Sequence, residues 1–151
     1  MTTIENHPGP LAGYKVLELC STIAGPACAR LLADFGADVI KVEAPAGDPL
    51  RSMGKHAKDV SLYAATILRN KRAITIDLKT GEGQALGRAL AVKFDILVEN
   101  YRPGVLERLG LEYESLSHDD PGLVIVRISG YGHTGPYSIR PGFVAICWAL
   151  A

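Results

Sequence analysis

Residues 96–110 read Ile-Leu-Val-Glu-Asn-Tyr-Arg-Pro-Gly-Val-Leu-Glu-Arg-Leu-Gly. Ile96, Leu97 and Val98 form a short apolar run of the kind that makes a strand buried on both faces, and Pro103 with Gly104 then stops it and opens a helical pattern. A strand of a parallel sheet therefore ends at Glu99. Ligands of open α/β sheets sit beyond the carboxyl ends of the strands, so Asn100, Tyr101 and Arg102 occupy the leading candidate binding position. Arg102, and Arg108 further along the helix, bring fixed positive charge and fork-shaped donors that suit a phosphate or carboxylate. Turn chemistry alone also accounts for Asn100, Pro103 and Gly104, with Arg102 merely solvated.

The rest of the chain bounds what such a site can serve. Its 151 residues are roughly one domain, and 48% apolar residues are enough for a globular core. Lys and Arg number 16, as do Asp and Glu, so the zero net charge gives no support to a nucleic-acid or membrane partner held by bulk electrostatics. Any anion site must be local. Cys20, Cys28 and Cys147 are scattered, without a C-x-x-C, which speaks against a disulfide framework or a metal site and fits a reducing compartment. Met1–Pro10 is polar, lacks an apolar signal core and reads as a loose tail. The longest apolar run, near Leu123–Ile128, is interrupted by Arg127 and is far short of a membrane span. The expectation is a soluble cytoplasmic protein.

Lys15–Leu19 has the content of a first strand. In 24–35, Ala27, Cys28, Leu31, Leu32 and Phe35 recur with a helical period, and Gly36 is placed to stop that helix. Asp38–Glu43 follows as a second strand. Strand, helix and strand at this spacing predict a parallel pair with a right-handed crossover, hence a Rossmann-like α/β sheet with flanking helices. The turn Cys-Ser-Thr-Ile-Ala-Gly-Pro at 20–26 is not the G-x-G-x-x-G fingerprint, which excludes an ordinary nicotinamide or flavin site. Glu43 falls near where such folds place a ribose-binding carboxylate, a weak pointer without the glycines.

Residues 44–58 carry Pro45, Gly47, Pro49 and Gly54 and predict a long surface excursion. A short helix is expected over 60–69, with Leu62, Ala65, Thr66 and Ile67 inward. The cluster Arg69-Asn70-Lys71-Arg72 precedes a strand expected over 73–78, where Ile74, Ile76 and Leu78 alternate with Ala73, Thr75 and Asp77 as on an edge or half-buried strand. Lys79 adds a further cation, of the right sign for a polyanionic ligand, although such runs are commonly just solvated. Thr80 has N-cap chemistry for a helix whose stripe Ala85, Leu86, Ala89, Leu90 faces a core. Helices are expected over 103–109 and 113–117. Leu123–Ser129 is the strongest strand pattern and predicts a central one. The glycine-rich loop 130–142 then carries His133, an acid–base candidate with no partner carboxylate identifiable in the sequence.

With these stretches in view, the sequence resembles the class III coenzyme A transferases of the CaiB/BaiF type. The resemblance lies in five blocks in the same order: 11–19 (Leu-Ala-Gly-Tyr-Lys-Val-Leu-Glu-Leu), 34–51 (Asp-Phe-Gly-Ala-Asp-Val-Ile-Lys-Val-Glu through Asp-Pro-Leu-Arg), 70–79 (Asn-Lys-Arg-Ala-Ile-Thr-Ile-Asp-Leu-Lys), 98–110 and 129–137 (Ser-Gly-Tyr-Gly-His-Thr-Gly-Pro-Tyr). It implies a Rossmann-like large domain, a small domain and, in full-length relatives, an interlocked homodimer. Residues 11–151 would then be a partial Rossmann-like CoA-binding domain, without the small domain and the C-terminal return. It also implies that CoA, as an acyl-CoA substrate, lies along the carboxyl ends of the strands, touching Asp77, Leu78 and Lys79, then Asn100, Tyr101 and Arg102, with Arg108 as a further basic contact and Ala24 in the first turn. Acyl-CoA and a carboxylic acid would be the partners, with no metal, nucleic acid or membrane.

The family's nucleophile is an aspartate that forms a mixed anhydride and then an aspartyl-CoA thioester. The resemblance places it roughly thirty residues beyond the position of Phe143, in a part of the family sequence past Ala151, so no catalytic residue is assigned and the chain is expected to be inactive alone. Phe143 stands near the place where related acyl-CoA racemases carry a catalytic histidine, and Ser21 and Ile23 where formyl-type members carry His and Gln. Val144 and Trp148 are unusual in a segment that is often small or polar. The alternatives are a CoA-binding module without catalysis, a racemase-like fragment, or an unstable fragment whose helices 24–35 and 80–93 expose apolar surface.

Overall fold

The computed structural model describes residues 9–143. Strands β1 (Lys15–Leu19), β2 (Asp38–Glu43), β5 (Lys71–Thr75), β6 (Ile96–Glu99) and β7 (Val124–Arg127) form one five-stranded sheet in the order β5-β2-β1-β6-β7, every pair parallel. The expected Rossmann-like arrangement is the one found. A hairpin of β3 (His56–Ala57) and β4 (Val60–Ser61) stands apart from it. Because all five strands run the same way, the loops after Leu19, Glu43, Thr75, Glu99 and Arg127 gather on one edge.

Helix α1 (Ala24–Asp34) packs on one face with Val16, Val39 and Val98, while α3 (Gly81–Ala91), α4 (Val105–Arg108) and α5 (Tyr113–Asp119) border the other core, built on Leu17, Leu97, Leu106, Leu111 and Leu116. The helix faces differ from the expected ones. On α1 the buried residues are Gly25, Pro26, Ala29 and Ala33, and Leu31 and Phe35 are about half exposed. On α3 they are Gly83, Gly87 and Ala91, whereas Ala85, Leu86 and Ala89 face outward. Close approach decides this: a Cβ on Gly83 would overlap the Asp77 carbonyl, and one on Gly87 would meet Leu78 at 2.8 Å. Small residues let these helices lie near the sheet, and the bulky ones are left on the far side.

Other boundaries move for local reasons. β5 begins at Lys71 and ends at Thr75, because Asp77 turns the chain out of the ladder: its side chain accepts the Lys79 N–H at 3.0 Å and its carbonyl the Thr80 N–H at 3.1 Å. α2 is only Leu62–Ile67, with Ala64 and Ile67 buried and Leu62, Ala65 and Thr66 exposed. The 44–58 stretch is more than a surface excursion, since it includes a 3₁₀ turn (Pro49–Arg51), fully buried Leu50 and one strand of the hairpin. Strand β7 is not central but lies at an edge among the described residues, with Val124 exposed. Cys147, Val144 and Trp148 lie outside the described residues. No described helix is long and apolar enough to cross a membrane.

Candidate functional site

The edge formed by the strand ends is held together by four charged residues embedded in apolar strands. Glu18 stands opposite Lys41 in the β1–β2 register, and Glu99 opposite Arg127 in β6–β7. Lys41, 1% exposed, donates to Glu18 Oε1 at 3.0 Å and to the Cys20 carbonyl at 2.6 Å, and its ammonium lies 2.8 Å from Asp48 Oδ2. Burial opposes its charge, yet Glu18 and Asp48 outweigh burial and hold the lysine above its usual range. Lys71 reaches the other Glu18 oxygen at 2.7 Å and the Pro26 carbonyl at 2.6 Å; for this group burial prevails and lowers it. Asp48 Oδ1 accepts the N–H groups of Thr22 and Leu50, so this network ties the loop between β1 and α1 to the loop after β2.

These residues surround a cavity of about 260 Å³ between the ends of β1, β2 and β6, lined by Cys20, Ser21, Lys41, Glu43, Gly47, Asp48 and Tyr101 among others. Cys20 is buried, donates to the Val98 carbonyl and is pushed well up by burial and then by Glu18, which makes it an inert thiol. Burial, with Cys20 and Glu99, raises the Tyr101 hydroxyl to about 12.

Of the residues assigned to CoA, Tyr101 is the one that lines this cavity. Asn100 beside it joins two loops: its Oδ1 accepts the Ser21 N–H at 3.0 Å and its Nδ2 donates to the Ser21 carbonyl at 2.9 Å. Ala24 is exposed at the start of α1, and Gly25 next to it must be small, since a Cβ there would overlap Cys20 and approach Asn100 Cβ at 3.2 Å. Lys79, Arg102 and Arg108 are exposed, and no carboxylate among the described residues lies within 4 Å of any of them. Arg108 folds back toward Gly104, 3.4 Å from where a Cβ would stand. Leu78, beside Lys79, is buried in the core cluster that also holds Leu106. Asp77 is engaged in its own turn.

Three other candidates change character. Arg69 pairs with Asp34, Arg72 with Asp38 and Lys71 with Glu18, so the 69–72 cluster is neutralised internally rather than offered to a polyanion. Glu43 is occupied by Arg51 through both carboxylate oxygens and by the Asp48 N–H, and its carboxyl is held low chiefly by Arg51. It is a loop anchor. His133 has a carboxylate nearby after all, Glu99 Oε1 at 3.9 Å, a distance too long for a hydrogen bond. Sequence reasoning passed over Glu18, Lys41, Glu99 and Arg127. The signal available was a charge inside each apolar strand, which in a sheet covered on both faces requires a partner. Among the described residues no cluster of His, Cys, Asp and Glu could hold a metal ion.

Known proteins resemble this chain in sequence and in fold. The chain is 52% identical to succinyl-CoA--D-citramalate CoA-transferase of Chloroflexus aurantiacus over 97% of its length, covering 37% of that protein. It is 40% identical to the human succinyl-CoA:glutarate CoA-transferase, over 97% of this chain and 34% of that one. A crystal structure of a CaiB/BaiF family protein from Brucella suis superposes with a TM-score of 0.88 at 41% identity, over 95% of this chain and 39% of that one. The chain therefore spans little more than a third of the length of these relatives. Residues 11–151 match the model of CoA-transferase family III, and the chain belongs to that family.

Proposed function

We propose that this chain is the CoA-binding part of a CoA-transferase that moves CoA from succinyl-CoA to a second carboxylic acid. The observation that carries the reading is the position of three exposed cations: Lys79 in the loop after β5, Arg102 in the loop after β6 and Arg108 on the short helix α4 that follows, all beyond the carboxyl ends of strands of one parallel sheet. A pyrophosphate and a ribose phosphate need such charges, and fixed guanidinium forks hold phosphate oxygens in place. The donor is suggested by the succinyl-CoA named for both relatives above.

In the proposed reaction an aspartate outside residues 1–151 attacks the thioester carbonyl of the bound acyl-CoA. A C–O bond forms, the C–S bond breaks, and the CoA thiolate leaves. The thiolate then attacks the aspartyl carbonyl of the mixed anhydride, releasing the first acid and leaving an aspartyl-CoA thioester for the acceptor carboxylate. What residues 11–143 contribute is retention of the CoA thiolate between these steps. The homodimer of full-length relatives belongs to the same proposal. A racemase-like reading is disfavoured by exposed Phe143, whose ring cannot move a proton.

The test is to incubate the purified chain with succinyl-CoA and dicarboxylic acids and follow new acyl-CoA. No turnover is expected, with CoA still retained by the chain. Sustained turnover would overturn the placement of the nucleophile, and failure to retain CoA would overturn the site.

A further inference from the structure

The turn after β6 carries three of the residues assigned to CoA, and one side chain from the neighbouring strand grips both of its ends. Arg127 Nε donates to Glu99 Oε1 at 2.8 Å, and its Nη2 lies 2.9 Å from Glu107 Oε1. Glu99 is the last residue of β6, and Glu107 on α4 immediately precedes Arg108. The other Glu99 oxygen accepts the Tyr101 backbone N–H at 2.6 Å. One guanidinium thus orients the carboxylate that orients Tyr101, and it also sets the spacing between the strand end and α4. Glu99 is fully buried, where such charge-assisted bonds are strongest.

We propose that Arg127 is a positioning residue for CoA binding: through Glu99 and Glu107 it holds the 100–108 turn in the shape in which Asn100, Tyr101, Arg102 and Arg108 meet the ligand. This role rests on the CoA reading of the site. Arg127 differs from Arg102 and Arg108 in having its donors committed to two carboxylates on separate elements. Arg127 addresses the two carboxylates from two different nitrogens of one planar fork, whereas a lysine in its place would have a single nitrogen for both. His133, 3.9 Å from the same Glu99 oxygen, is too distant to replace it.

The experiment measures Tyr101 amide exchange by NMR without ligand, and CoA affinity by calorimetry, for the wild-type chain, Arg127→Met and Arg127→Lys. Tyr101 exchange should quicken about tenfold and Kd should rise about tenfold in both variants, the scale of one charge-assisted hydrogen bond. In an Arg102→Ala background, Arg127→Met should add much less than it does alone, because the two act through one turn. If Arg127→Met does not fold, Arg127→Lys carries the same readouts with charge and stem retained. Unchanged Tyr101 exchange, or unchanged Kd in both variants while the wild type binds, overturns this role alone. A wild-type chain that binds no CoA overturns the reading of the site and this role with it.

Discussion

Asn100 and Ser21 hydrogen-bond each other twice, side-chain amide to backbone N–H and C=O, and so lock the loop after β6 to the loop after β1 at 2.9–3.0 Å. Asn100→Asp keeps the acceptor but sets a carboxylate oxygen against the Ser21 carbonyl. Chemical denaturation should show a loss of about 1–2 kcal/mol, the size of a lost bond plus an unmatched acceptor. Asn100→Asp with wild-type stability would mean the two loops are not coupled here.

Lys41 is the centre of the buried charge network. Lys41→Met would leave Glu18 and Asp48 facing each other without their shared cation, which should cost about 3–5 kcal/mol in urea unfolding. A loss below about 1 kcal/mol would show that water already screens these groups.

Gly25 and Ala29 should tolerate no enlargement. Ala29→Leu drives a larger side chain into the contact between α1 and the sheet and should destabilise by about 1–3 kcal/mol. Leu31→Ser, on the outward face of the same helix, should stay within about 0.5 kcal/mol of wild type. The opposite ranking would put the large residues of α1 inward.

The Glu43 carboxyl is held below its ordinary value, first by its hydrogen bonds from Arg51. A depressed folded-state pKa adds stability that is fully present above the unfolded value near 4.5 and is lost as pH falls through the lower folded value. Glu43→Gln should therefore be less stable than wild type at neutral pH, and the gap should close as the solution is acidified below that range. A gap independent of pH would remove Glu43 from the acid transition.

Much of the architecture was legible because strand content and turn chemistry are local. Lys15–Leu19, Asp38–Glu43 and Ile96–Glu99 appear where their apolar runs stand. The helix faces were not legible, since Leu31, Phe35 and Leu86 have the period of a core stripe but the helix faces turned to the sheet carry small residues such as Gly25, Ala29, Gly83 and Gly87. That is a tertiary distance, invisible in periodicity. The place of Asn100, Tyr101 and Arg102 just after the end of β6 was readable in the sequence, while the registers Glu18–Lys41 and Glu99–Arg127 depend on which strands become neighbours.

The proposed function depends on Lys79, Arg102 and Arg108 together gripping a phosphorylated thiol carrier at the carboxyl-end edge. It is tested by calorimetric titration of CoA into the wild-type chain and into the Lys79→Ala/Arg102→Ala/Arg108→Ala variant. Micromolar binding by the wild type is expected, with at least about a hundredfold weakening in the variant, two charge-assisted contacts' worth. Equal affinity in the two proteins would contradict it.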